Sequence, residues 1–249
     1  MQTFTQQDAL LLVPLAAIAL QLILGFIREK QWKARIESGV PGARLRLYNE
    51  TLVVLWTIAA LSVGLWLASG RTWTELGFGW PASGWRGGIA WGLAAGSILY
   101  MGYTIVQTAR SRDARTSVRK QVADMGGIDL IQPRRPAEHD RFVLLSITAG
   151  ITEEIIFRGF LIGALALVMP AWVAAVVAVA AFTLGHLYQG PQGLIRVFGL
   201  SVLFTGLYLI CGSIWPLMII HAAVDLTAAG VFRLIDAFEE KDRLAAETA

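Results

Sequence analysis

The chain has 249 residues, of which 55% are hydrophobic and only 16% charged, with a mean hydropathy of +0.58; a soluble domain carries about 25% charged residues. So few charges cannot clothe a water-soluble globule, and the composition predicts a polytopic membrane protein. The lone Cys211 excludes an intrachain disulfide, a cysteine-based zinc site and a CxxC redox motif, and the net charge of +3 points to nucleic acid only if the basic residues form a patch.

A membrane span needs about 20 mostly apolar residues. Seven stretches qualify, near 9–27, 50–69, 88–107, 142–168, 171–187, 194–210 and 214–232. With alternating direction, the links 28–47 and 108–141 and the tail 233–249 carry six, eight and three Lys and Arg. The opposite side carries two, both in the loop 70–87. Seventeen against two places the N-terminus outside and the C-terminus in the cytoplasm, and leaves Arg158 and Arg196 inside spans. The basic excess therefore marks topology, and no nucleic-acid partner is expected.

The first apolar stretch follows a leader, MQTFTQQD, with no basic residue, so it reads as a retained helix and not as a signal peptide. Trp73, Trp80 and Trp85 around Pro81 make the outer loop an interfacial anchor. Gly84, Gly88, Gly92 and Gly96 recur every four residues, a small-residue stripe expected to pack against another helix. The link of about 34 residues at 108–141, punctuated by Gly126, Gly127, Pro133 and Pro136, is long for a bundle connection and suits an amphipathic helix on anionic lipid. With no internal repeat, residues 1–249 form one integral membrane domain.

An ionisable group costs on the order of 3 kcal/mol at a helix centre, and the second half of this chain collects them. The fourth stretch reads TAGITEEIIFRGFLIG, the fifth ends AAFTLGHLYQG and the seventh reads IWPLMIIHAAVDLTAAG. His186 and His221 are intramembrane; His139, among Arg and Glu in the cytoplasmic link, is expected to be solvated. Glu154 and Arg158, at i and i+4 with the acid first, pair on one helix face. Glu153 points about 100° away and is the unpaired carboxylate, suited to act as general base towards water. His221 and Asp225 are again i and i+4. At a rise of about 1.5 Å per residue Asp225 lies at a depth similar to Glu153, His221 about a turn further out and His186 nearer the cytoplasmic side, which predicts a cavity open to the cytoplasm with Glu153 and His186 on a water and His221 and Asp225 towards a substrate carbonyl.

These segments resemble the CPBP family of intramembrane endopeptidases, which includes the type II CAAX prenyl proteases and bacterial relatives linked to abortive infection or bacteriocin immunity. The family's motifs EExxxR, FxxxH and HxxxN or HxxxD stand here as Glu153-Glu154-x-x-x-Arg158, Phe182-x-x-x-His186 and His221-x-x-x-Asp225, with a core over 140–230. The resemblance implies peptide-bond hydrolysis of CAAX-type or other membrane-tethered, lipidated substrates in a bacterial plasma membrane. By that resemblance Glu153 and His186 activate water, His221 donates to the oxyanion, and Glu154 and Arg158 support the first motif. Asp225 departs from the asparagine form: ionised it cannot donate, so it is protonated, orients His221 or faces a cation. No cofactor is favoured. Zn²⁺ held by His186, His221 and Glu153 is the alternative, although HExxH is absent. A proton-coupled transporter and a non-catalytic immunity or scaffold protein are the rival readings, and the transporter is disfavoured by the lack of repeats.

Overall fold

The computed structural model describes residues 5–123 and 128–247, and every regular element among them is helical. A short 3₁₀ turn leads into α1 (Leu12–Glu37), followed by α2 (Ala43–Ala68), α3 (Trp85–Arg110), α4 (Arg112–Ala123) and α5 (Pro136–Glu153). A π-helical stretch (Glu154–Leu161) and α6 (Ile162–Leu165) continue α5, and α7 (Ala171–Leu184), α8 (Gly190–Cys211) and α9 (Trp215–Glu247) complete the chain. Gly126 and Gly127, read above as punctuation of the long link, lie outside the described residues.

Among the described residues five helices are long and apolar enough to cross a membrane: Gln6–Glu37, Ala43–Ala68, Trp85–Arg110, Leu187–Cys211 and Trp215–Lys241. The stretches expected at 142–168 and 171–187 are helical too, but for two reasons they do not meet that measure. The first is divided by the π-helical stretch and carries the site's charges. The second, Ala171–Leu184, has 14 residues, about 21 Å of rise against a hydrocarbon core of about 30 Å. Helices also overrun the apolar limits: α1 continues through the basic residues to Glu37 and α9 runs to Glu247.

Contacts between helix ends fall into two groups. In one, Asp8 takes a two-pronged bond from Arg71 at 2.7 and 2.9 Å. There too Ile214 N donates to Gly77 O at 2.9 Å, Trp215 Nε1 to Phe78 O at 3.0 Å and Ala82 N to Cys211 O at 2.9 Å. In the other, Arg28 pairs with Glu50, Arg44 with Glu138 at 3.3 Å, Arg119 with Glu239 at 3.0 Å and Arg233 with Asp140 at 2.9 Å. Tyr48 donates to Ile131 O at 2.6 Å in that second group.

His139 belongs there as well and corrects an expectation. It is 6% exposed, not solvated, and its Nε2 meets Asp236 on α9 at 2.9 Å. α4 is helical as expected, yet Arg115 lies over the Phe238 ring at 3.9 Å and Arg119 pairs with Glu239, so its basic face leans on α9. The glycine stripe of α3 also differs: a Cβ at Gly84, Gly88, Gly92 or Gly96 meets nothing within 4 Å, so those positions face outward.

The largest core cluster gathers Trp66, Phe160, Ala174, Ala178, Phe182 and Ile214 around the π-helical stretch. Burial of aromatic rings on that scale, at about 25 cal/mol per Å² where water is displaced and by dispersion where lipid is, makes α2, the π segment and α7 one rigid frame. The frame positions the polar residues described next.

Candidate active site

The first motif sits where α5 passes into the π-helical stretch, a wider coil often found at functional sites. All eight residues of that stretch are buried, including Glu154 at 0% and Arg158 at 1% exposure. Arg158 Nη1 donates to Glu154 Oε1 at 2.9 Å, the pair expected from the i, i+4 spacing. Its Nη2 donates to Ser201 Oγ on α8 at 3.2 Å, and its guanidinium lies 4.3 Å from the Phe182 ring centroid and 5.5 Å from that of Phe204. A buried cation is thus met by one carboxylate, one hydroxyl and two aromatic faces, the compensation that burial of a charge demands.

Glu154 makes a second bond. Its Oε1 lies 2.7 Å from His221 Nδ1, and because Glu154 also accepts from Arg158, the imidazole nitrogen is the donor. The other ring nitrogen, Nε2, lies 3.8 Å from Glu153 Oε2 and 3.8 Å from Asp225 Oδ2. Adjacent glutamates therefore flank one imidazole, Glu154 bonded to one nitrogen and Glu153 facing the other. Glu153 Oε2 and Glu154 Oε2 are buried with no hydrogen-bond partner in the protein. Such atoms are rare and call for an explanation.

His186 stands in the turn after α7 (Ala171–Leu184). Its Nδ1 meets Phe182 O at 2.8 Å, and since a carbonyl only accepts, Nδ1 carries the hydrogen; in the neutral ring Nε2 then keeps a lone pair. The bond satisfies a carbonyl left over at the helix end. The His186 and Phe182 rings stack at 4.6 Å, and Phe182 meets the His221 ring edge-on at 6.0 Å. The four-residue spacing of the second motif is thus a local unit, a ring on a ring and a side chain capping a carbonyl.

The structure brings Glu153, Glu154, Arg158, His221 and Asp225 into one cluster, with His186 joined to it through Phe182. Asp225 is the most open of the carboxylates, its side chain 36% exposed against 14% for Glu153. Among the described residues no group of three or more His, Cys, Asp or Glu converges as ligands of a metal ion do. His221 Nδ1 is committed to Glu154 and His186 Nδ1 to a carbonyl, which leaves Nε2 as the ring atom each could offer an ion. The donor set expected for Zn²⁺, His186, His221 and Glu153, is not gathered as a ligand group in this arrangement.

Residues 140–227 match the family model of the type II CAAX prenyl endopeptidase Rce1-like family. The matched stretch is similar to an Rce1-like domain. It holds all three motifs and covers about a third of the chain. No curated protein and no solved structure matches the chain.

Within the Rce1-like region, sequence reasoning missed Ser201, Phe204 and Gly150. Ser201 and Phe204 lie on α8, which carries no motif, yet one binds Arg158 and the other packs 5.6 Å from the His221 ring. A hydroxyl in the apolar run LSVLF was the one available signal. At Gly150, one turn before the glutamates, a Cβ would fall 2.6 Å from Ala222 N and 2.8 Å from Ala222 Cα. α5 and α9 touch backbone to backbone there, which sets the reach between Glu154 and His221. Gly159 plays the same part towards the turn at Leu76, where a Cβ would fall 2.5 Å from Leu76 O.

Proposed function

We propose that the protein is a membrane-embedded endopeptidase in which Glu153 and His186 activate a water that attacks a substrate peptide carbonyl. The observation that carries this reading is the setting of Glu153, a carboxylate with an unpartnered oxygen beside an imidazole whose far side is fixed by Glu154 and Arg158. The match to a family of CAAX prenyl endopeptidases supports the reaction class.

A water bound between the Glu153 carboxylate and His186 Nε2 donates one hydrogen to each, which turns its lone pair towards the carbonyl carbon. As the C–O bond forms, its proton passes to Glu153. The carbonyl oxygen becomes an oxyanion and accepts from His221 Nε2. For that, Nε2 carries a hydrogen while Nδ1 donates to Glu154, and the carboxylates of Glu153 and Asp225 balance the charge of this form. Glu153 then gives the proton to the departing nitrogen as the C–N bond breaks. No covalent acyl-enzyme forms, and Asp225 orients and balances His221 in place of the family's asparagine donor.

Residues 1–249 act as one membrane domain of seven crossings, N-terminus outside and C-terminus cytoplasmic, with a catalytic core over 140–230. The bias of seventeen Lys and Arg against two supports this orientation, and so does the division of helix-end contacts into two groups. The substrate is a membrane-tethered or lipidated peptide cut near the cytoplasmic leaflet of a bacterial plasma membrane. Incubation of the purified protein with a library of membrane-tethered peptides tests the reading: wild type is expected to release products that Glu153→Ala does not. Absence of cleavage by wild type overturns it.

A further inference from the structure

A cavity of about 620 Å³ opens between the end of α1, the start of α2, the segment 129–134 and the loop that follows His186. Its volume falls within the roughly 300–1,000 Å³ of ligand pockets. The wall carries Glu29, Lys33, Glu37, Arg44, Asp129 and Arg134. Several of these charges balance one another, Lys33 with Glu37 at 3.9 Å and Arg134 with Asp129 at 3.0 Å. A wall of both signs favours a chain rich in amides and mixed side chains over an acyl tail, for which stripping water from these groups is costly.

Tyr188 links this cavity to the catalytic cluster. It lines the cavity, its ring lies 6.0 Å from that of His186, and Gln189 Nε2 donates to its hydroxyl at 3.2 Å. The mechanism above leaves both Tyr188 and the cavity unused.

We infer that this cavity receives the polypeptide part of the substrate and that Tyr188 is the positioning residue that aligns it with His186. The inference rests on the endopeptidase reading and adds a substrate feature: the segment on one side of the scissile bond is polar peptide, held outside the apolar bundle. The lipid anchor of the substrate lies elsewhere.

Two measurements on the reconstituted full chain test it. Leu130→Trp and Ile36→Trp fill the cavity from walls remote from the catalytic cluster, and each is expected to raise KM for an acyl-anchored peptide about tenfold with kcat changed by less than about twofold. Tyr188→Phe is expected to keep most activity, whereas Tyr188→Ala raises KM and lowers kcat together. Separately, a photoreactive group is placed on the peptide or at the tip of the acyl chain and bound to the Glu153→Gln protein. Crosslinks to 129–134 and 187–190 are expected from the peptide label alone. If wild type cleaves but the Trp variants leave KM unchanged, or if the acyl label marks these segments, the inference fails while the endopeptidase reading stands. If the peptide label marks the cavity and wild type cleaves nothing, the binding site stands and the endopeptidase reading fails.

Discussion

Glu153 and Glu154 are neighbours in different surroundings, and the roles proposed for them follow from their partners. Glu154 Oε1 accepts from both Arg158 and His221, so Arg158→Met leaves a buried carboxylate with one donor. The loss is expected to be about 3–5 kcal/mol, read as a lower midpoint in denaturant unfolding of the detergent-solubilised protein. Glu153 makes no such bond. Glu153→Gln is therefore expected to lower turnover by at least about 10²–10⁴-fold while the unfolding midpoint moves little. A midpoint shift as large as that of Arg158→Met would make Glu153 a structural residue. Because the donors do not converge on an ion, cleavage is expected to survive thorough removal of Zn²⁺; loss on chelation with recovery on adding Zn²⁺ would reinstate the metal alternative. The pairing of Glu154 with Arg158 was legible from the sequence because both partners lie within one helical turn. The bond from His221 was not, since 67 residues separate it from Glu154. His139 was misread for the same reason: charged neighbours in sequence suggested solvent, while its partner Asp236 lies 97 residues on.

At the level of elements, the site depends on how closely α5 and α9 approach. Gly150 against Ala222 sets that distance, and the Glu154–His221 bond of 2.7 Å needs it. Gly150→Ala forces the helices apart and is expected to cost about 1–3 kcal/mol of stability and to reduce activity by more than that loss explains, because His221 moves from its acceptor. Activity measured at a temperature where the variant remains folded separates the two effects, and unchanged turnover there would show that this contact does not set the site. Apolar runs gave the helical segments and their order: each of the seven stretches falls largely on helix, and five of them lie in helices long and apolar enough to cross a membrane among the described residues. They could not give the π-helical stretch at Glu154–Leu161, where the wider coil accommodates Arg158 between α7 and α8, nor the helix ends, because α1 and α9 extend past their apolar parts with side chains solvated or paired. The outward-facing glycines of α3 show the same limit: a four-residue stripe names a helix face without naming what lies against it.

In the whole molecule, topology and chemistry meet at the site. In the proposed orientation, Trp80→Cys in a Cys211→Ala background is expected to react with an impermeant thiol reagent from outside intact cells, and Ser117→Cys only after permeabilisation. Labelling of both without permeabilisation would break the alternation of helices on which the orientation rests. The proposed orientation puts the cavity beside Tyr188 and the turn bearing His186 on the cytoplasmic face, where the proposed substrate would present its tethered peptide. Low charge in the composition announced a membrane protein, and the few buried charges marked the site, but only the fold shows that one imidazole joins two of the three motifs. The most direct test of the central claim is cleavage of a membrane-tethered peptide by the purified protein in lipid vesicles, with wild type and Glu153→Gln at equal folded concentration. The expected result is a defined product from wild type and none above background from the variant; product formed equally by both would contradict the assignment of Glu153 as the base.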